Sequence, residues 1–63
     1  MNYIIKPIKH GYYKIYFDGL ASDFEIQQVL VENKMRFIRN DTGLFDTYKV
    51  VILAEKIRWL TKR

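Results

Sequence analysis

The chain has 63 residues, a formal charge of +4 and no cysteine. At that length there is one domain, residues 1–63, with one small core. Disulfides are excluded, and a structural zinc is disfavoured because His10 is the only histidine and thiolates are missing. The longest purely apolar run, Val50 to Ala54, falls far short of the about 20 residues of a membrane span, so no membrane partner is expected.

In chain order, Tyr3 to Ile8 is apolar and β-branched and reads as a strand. Pro7 confines it to a sheet edge or a strand end, because proline cannot donate to the ladder. Lys9-His10-Gly11 is a turn, with Gly11 the residue that tolerates positive φ. Tyr12 to Phe17 is a second strand of aromatic and β-branched residues, and the two runs form an antiparallel hairpin. Asp18-Gly19 ends it.

Ser22-Asp23-Phe24-Glu25 then reads as a capping box opening a helix. That helix should run to about Asn33, with Ile26, Val29, Leu30 and Asn33 inward and Phe24 or Val31 at the margin. Met35 to Arg39 is a third strand, with Met35 and Phe37 on one face and Arg36 and Ile38 on the other. After the turn Asn40-Asp41-Thr42-Gly43 two readings compete. In the preferred one, a long helix starts at Asp46 or Thr47 and ends among Arg58, Lys62 and Arg63, whose charges suit its C-terminal dipole. In the other, Phe45 to Leu53 is a fourth strand hairpinned to the third, and a short helix starts at Ala54. Either way the fold class is α+β, a small antiparallel sheet with helices on one face, in the order β-β-α-β-α or, alternatively, β-β-α-β-β-α.

The chain carries five tyrosines, four phenylalanines and one tryptophan, more ring surface than so small an interior hides. On the second strand Tyr13, Ile15 and Phe17 share the face expected to meet the helices. Tyr12, Lys14 and Tyr16 share the other. A third strand aligned beside it would add Arg36 to that face, with Ile38, and Lys6 would join from the first strand. Rings interleaved with cations suit stacked bases and phosphates. They equally suit a protein interface, where Tyr and Arg are enriched. They also suit a plain exposed strand. The segment from Lys56 to Arg63 is basic around Trp59, and reads as a helix end or as a basic contact.

No constellation for chemistry emerges. Asp41-Thr42-Gly43 matches the aspartic-protease triplet, but that chemistry needs two such aspartates sharing a proton, and Asp-Thr-Gly is also ordinary turn sequence. His10 has no nameable partner. The acidic residues do not space as metal ligands; Asp23 and Glu25 suit the helix start, while Glu32 and Glu55 read as solvated helix positions. Three dispersed glycines make no phosphate cradle.

The expected activity is therefore binding and not catalysis, with no cofactor. Ile, Lys, Tyr, Phe and Asn, all of AT-rich codons, are heavily used, a habit of small phage and mobile-element genes. Neither a secretory leader nor cysteine is seen, so the expected location is the cytoplasm, that of the host cell if the gene is viral. The leading expectation is a small accessory protein that binds and modulates a host protein through Tyr12, Lys14, Tyr16, Arg36 and Trp59. The alternative is a nucleic-acid binder using Lys6, Lys14, Arg36, Lys56, Lys62 and Arg63. Homodimer formation is a further expectation, because a domain this small gains stability from a partner chain.

Overall fold

The computed structural model describes residues 2–43 and 50–57. The elements in order are β1 (Tyr3–Lys9), β2 (Tyr12–Phe17), α1 (Asp23–Glu32), β3 (Met35–Asn40) and β4 (Val50–Lys56). The strands form one antiparallel sheet in the order β1-β2-β4-β3. The α+β class holds, with α1 packed on one face of the sheet.

The expected second helix is not formed over Val50 to Lys56, where the alternative reading's fourth strand, antiparallel to the third, is found instead. Val50 to Lys56 is a strand that pairs with β2 and β3 at once. The long helix is thus overturned over these residues, and so is the short helix from Ala54, because Ala54, Glu55 and Lys56 continue the strand. Glu55 is accordingly no helix position. The rest of both helical readings, at residues 44–49 and 58–63, lies outside the described residues. β3 is also not the neighbour of β2: β4 is inserted between them.

Edge position explains Pro7. The Asp18 N–H donates to the Asn2 carbonyl at 3.0 Å. Antiparallel alternation then turns the even residues of β1, through Lys6, toward β2 and the odd ones toward the open edge. Pro7 is odd, so its missing donor would have faced no strand. The β1–β2 turn rests on Gly11 at φ 83°, a left-handed value a side chain resists. The Gly11 carbonyl accepts from the Lys56 N–H at 2.9 Å, fastening the turn to β4.

The capping box forms as read. Ser22 Oγ accepts from the Glu25 N–H at 3.3 Å, and the Ser22 N–H donates to Glu25 Oε1 at 2.9 Å. Such a cap contributes about 0.5–2 kcal/mol. The helix stops at Asn33, and Lys34 follows at φ 56°. Asn33 faces inward: its Nδ2 donates to the Val29 carbonyl at 2.8 Å and to Tyr3 Oη at 3.3 Å. Phe24 and Val31 are not marginal but outward, 71% and 70% exposed.

The core lies between α1 and the sheet. The helix contributes Val29 and Leu30, and the sheet contributes Ile15, Phe17, Met35, Ile52 and Ala54. Register explains this: Phe17 pairs with Tyr3 and Val50, Ile15 with Ile5 and Ile52, and Tyr13 with Pro7 and Ala54. The expected inward triplet Tyr13, Ile15, Phe17 therefore faces the helix, Tyr13 half-buried and the other two fully buried. Complete burial of a side chain the size of Phe17 or Ile15 is worth about 1.5–3 kcal/mol.

Candidate functional site: the open face of the sheet

The face turned away from α1 is ordered in three cross-strand rows. Ile4, Tyr16 and Val51 form the first. Lys6, Lys14, Leu53 and Arg39 form the second, and Lys9, Tyr12, Glu55 and Arg36 the third. On the central strands neighbouring rows are two residues apart, as the pleat requires. On both edge strands the step from the second row to the third takes one residue more. β1 is irregular between Pro7 and Lys9, and β3 between Phe37 and Arg39. The extra residues are Ile8 and Ile38. A bulge bends its strand and re-aims its side chains, and here two bulges flank the same interval of the sheet.

The result is a groove of about 560 Å³ between the second and third rows. Leu53, Ile8 and Ile38 supply its apolar surface, with Lys9, Arg36 and Arg39 around them, and Tyr12 and Glu55 complete the lining. Ile8 is 48% exposed and Leu53 only 6%. Farther along, Ile4 is 46% exposed while Val51 has no exposure at all. The outer face is thus partly closed over its two central apolar residues.

Its charges are arranged in contacts. Arg36 Nη2 lies 2.9 Å from Glu55 Oε1, and its Nε–H donates to the same oxygen at 3.0 Å. Asp41 stands between Lys14 Nζ at 3.4 Å and Arg39 Nε at 3.5 Å. Lys6 Nζ sits 5.6 Å from the Tyr16 ring centroid, and Lys9 Nζ sits 5.7 Å from that of Tyr12. Exposed pairs of these kinds contribute up to about 1 kcal/mol each, so their effect is mainly to hold the side chains in place. Among the described residues, five cations (Lys6, Lys9, Lys14, Arg36, Arg39) meet two carboxylates (Asp41, Glu55) on this face, an excess of positive charge.

The structure thus brings Tyr12, Lys14, Tyr16 and Arg36 onto one face, with Lys6 as anticipated. Arg36 arrives across β4 and not from a strand beside β2. Lys56 does not belong with them. It sits on the helix side of β4, opposite Met35, with Nζ donating to the Asn33 carbonyl at 3.2 Å. It was placed on a basic helix, and the strand moves it to the other face. Trp59, Lys62 and Arg63 lie outside the described residues.

Lys9, Arg39, Asp41 and Glu55 were missed as members of this surface. Lys9 could have been found from the turn it flanks. Arg39 depends on a bulge that no residue pattern announces.

The Asp41-Thr42-Gly43 triplet is occupied structurally. Thr42 Oγ1 accepts from the Val51 N–H at 2.9 Å and donates to Asn40 Oδ1 at 2.8 Å, while the Asp41 N–H donates to the Val51 carbonyl at 2.8 Å. The expected turn at Asn40-Asp41-Thr42-Gly43 is thus not formed as read: Asn40 still belongs to β3, and Asp41 and Thr42 carry the pairing with β4 on to Val51. Among the described residues no group of three or more potential metal ligands comes together, and no helix is long and apolar enough to cross a membrane. Comparison with protein-family models, curated proteins and solved structures found no match for the chain.

Proposed function

We propose that this protein acts by binding, without catalysis, and that the open face of the sheet engages a protein of the host cell and modulates it. One observation carries this reading. Tyr12 and Tyr16, the exposed Ile4 and Ile8, and Arg36 and Arg39 lie on a single face opposite the helix. Apolar and aromatic anchors with arginines nearby form the composition of protein contact sites. The ion pairs at Asp41 and Glu55 support it further, since carboxylates among the cations repel a bare phosphate chain.

The test is an affinity capture from host lysate, with and without nuclease. One stoichiometric protein should be retained under both conditions. Tyr16→Ala should weaken the interaction by about 2 kcal/mol, as a buried aromatic anchor does, and Lys14→Ala by less than about 1 kcal/mol, as a rim charge does. Loss of the captured protein after nuclease treatment, or equal effects of the two substitutions, would refute the proposal.

A second reading has its own support in the excess of cations over carboxylates on this face. Nucleic acid held there would be released steeply by salt. A gel shift showing no retention at about 50 mM salt would dispose of it.

A further inference from the structure

We infer that the groove between the second and third rows takes an extended acidic segment of the partner protein, with one apolar side chain flanked on each side, two positions away, by a carboxylate. This rests on the reading of the open face as a protein-binding surface and names the chemistry it selects.

The third row crosses all four strands, from Lys9 on β1 through Tyr12 and Glu55 to Arg36 on β3. Neighbouring strands are about 4.8 Å apart, so the end strands stand roughly 14 Å apart. An extended peptide rises about 3.3 Å per residue and presents alternate side chains to one side. Residues i, i+2 and i+4 then face the groove together and span about 13 Å. Carboxylates at i and i+4 reach the two cationic ends.

The side chain at i+2 comes down midway, over Tyr12 and Leu53 of the central strands, with Ile8 and Ile38 bounding the groove on the two end strands. Charge and shape agree on the occupant. Among the described residues the groove is lined by Lys9, Arg36 and Arg39 against the carboxylate of Glu55, which Arg36 engages, while Arg39 lies 3.5 Å from Asp41 beside the groove. A guanidinium has five N–H donors, so Arg36 keeps donors for a second carboxylate after satisfying Glu55.

The experiment is a two-dimensional amide NMR titration of the full chain. The probe is the blocked pentapeptide Glu-Ser-Leu-Ser-Glu. The control is Glu-Ser-Ser-Leu-Glu, which has the same composition and charge but turns its leucine to the opposite side. The first peptide should shift the resonances of Ile8, Tyr12, Ile38 and Leu53 and bind about tenfold tighter than the control. Ile8→Ser, at a half-exposed edge position, should remove that preference. Equal binding of the two peptides, no shifts up to about 5 mM, or tighter binding of a thymidine pentanucleotide at the same resonances overturns the inference. If the peptides fail while lysate capture still depends on Tyr16, this inference alone falls. If capture is insensitive to Tyr16, the proposed function falls with it.

Discussion

Thr42→Val should cost about 1–2 kcal/mol of stability, and the reason lies in one backbone donor. Val51 is fully buried, and its N–H finds its acceptor in a side chain, the Thr42 hydroxyl at 2.9 Å. Valine has nearly the shape of threonine and at least its β-propensity, so packing and backbone preference are conserved. Only the hydroxyl is lost. A buried donor left without an acceptor costs about 1–3 kcal/mol. Thr42 itself is exposed, which lets water recover part of the loss and sets the expectation in the lower half of that range.

For a domain this small, each kcal/mol moves the melting temperature by about 4–8 °C, so Thr42→Val should melt roughly 4–16 °C lower. Thr42→Ser keeps the hydroxyl and should stay within about 0.5 kcal/mol of the parent. Thermal unfolding followed by circular dichroism measures both. If valine were tolerated as well as serine, the hydroxyl would not be an element of the ladder, and the structural reading of Asp41-Thr42-Gly43 would fail.

Three further outcomes are expected in the same assay. Lys34→Gly should stabilise by about 0.5–1 kcal/mol, because the left-handed φ of 56° strains a side-chain-bearing residue by about 1–2 kcal/mol and glycine returns only part of this as unfolded-state entropy. A lower melting temperature would count against that backbone assignment. Ile52→Ala, at 1% exposure in the core, should cost about 2–5 kcal/mol, enough to unfold much of so small a domain at 37 °C, as the near-ultraviolet signal would report. Phe24→Ala should be neutral within about 0.5 kcal/mol; a large loss would mean that its ring is packed.

The sequence made local chemistry legible and left long-range arrangement hidden. Ser22 and Glu25 announce the helix start because both halves of the capping box lie within four residues. Pro7 announces an edge because the lack of a donor is intrinsic to the residue. The alternation of Tyr12 to Phe17 sorts its side chains correctly, since it depends only on the pleat.

β4 was misjudged for a physical reason. Val50 to Ala54 is apolar at every position because the strand lies between β2 and β3, and Val51 and Leu53 on its outer side are covered as well. A run that is apolar everywhere fits a period of 3.6 as well as a period of 2. The cap candidates Asp46 and Thr47 and the basic residues Arg58, Lys62 and Arg63 beyond the run favoured the helical period. Strand order was hidden because sequential strands usually neighbour one another, and here β4 separates β2 from β3. The bulges at Ile8 and Ile38, which create the groove, have no local signature.

Because the outer face partly buries Val51 and Leu53, contact surface and fold share residues there, and this decides how the binding test must be built. Tyr16 stands opposite Val51, so Tyr16→Ala removes a proposed anchor and also uncovers an apolar residue. Weaker capture could then reflect partial unfolding alone. Ile52→Val separates the two causes, since it loses about 0.5–1.5 kcal/mol of stability from the helix side of the sheet and leaves the outer face unchanged. Compared at a temperature where both variants are folded, Tyr16→Ala should bind at least about tenfold more weakly than Ile52→Val. Tyr16→Phe, which keeps the ring, should bind closer to the parent than Tyr16→Ala does. Parallel losses in Tyr16→Ala and Ile52→Val would make the ring a lid over Val51 and nothing more.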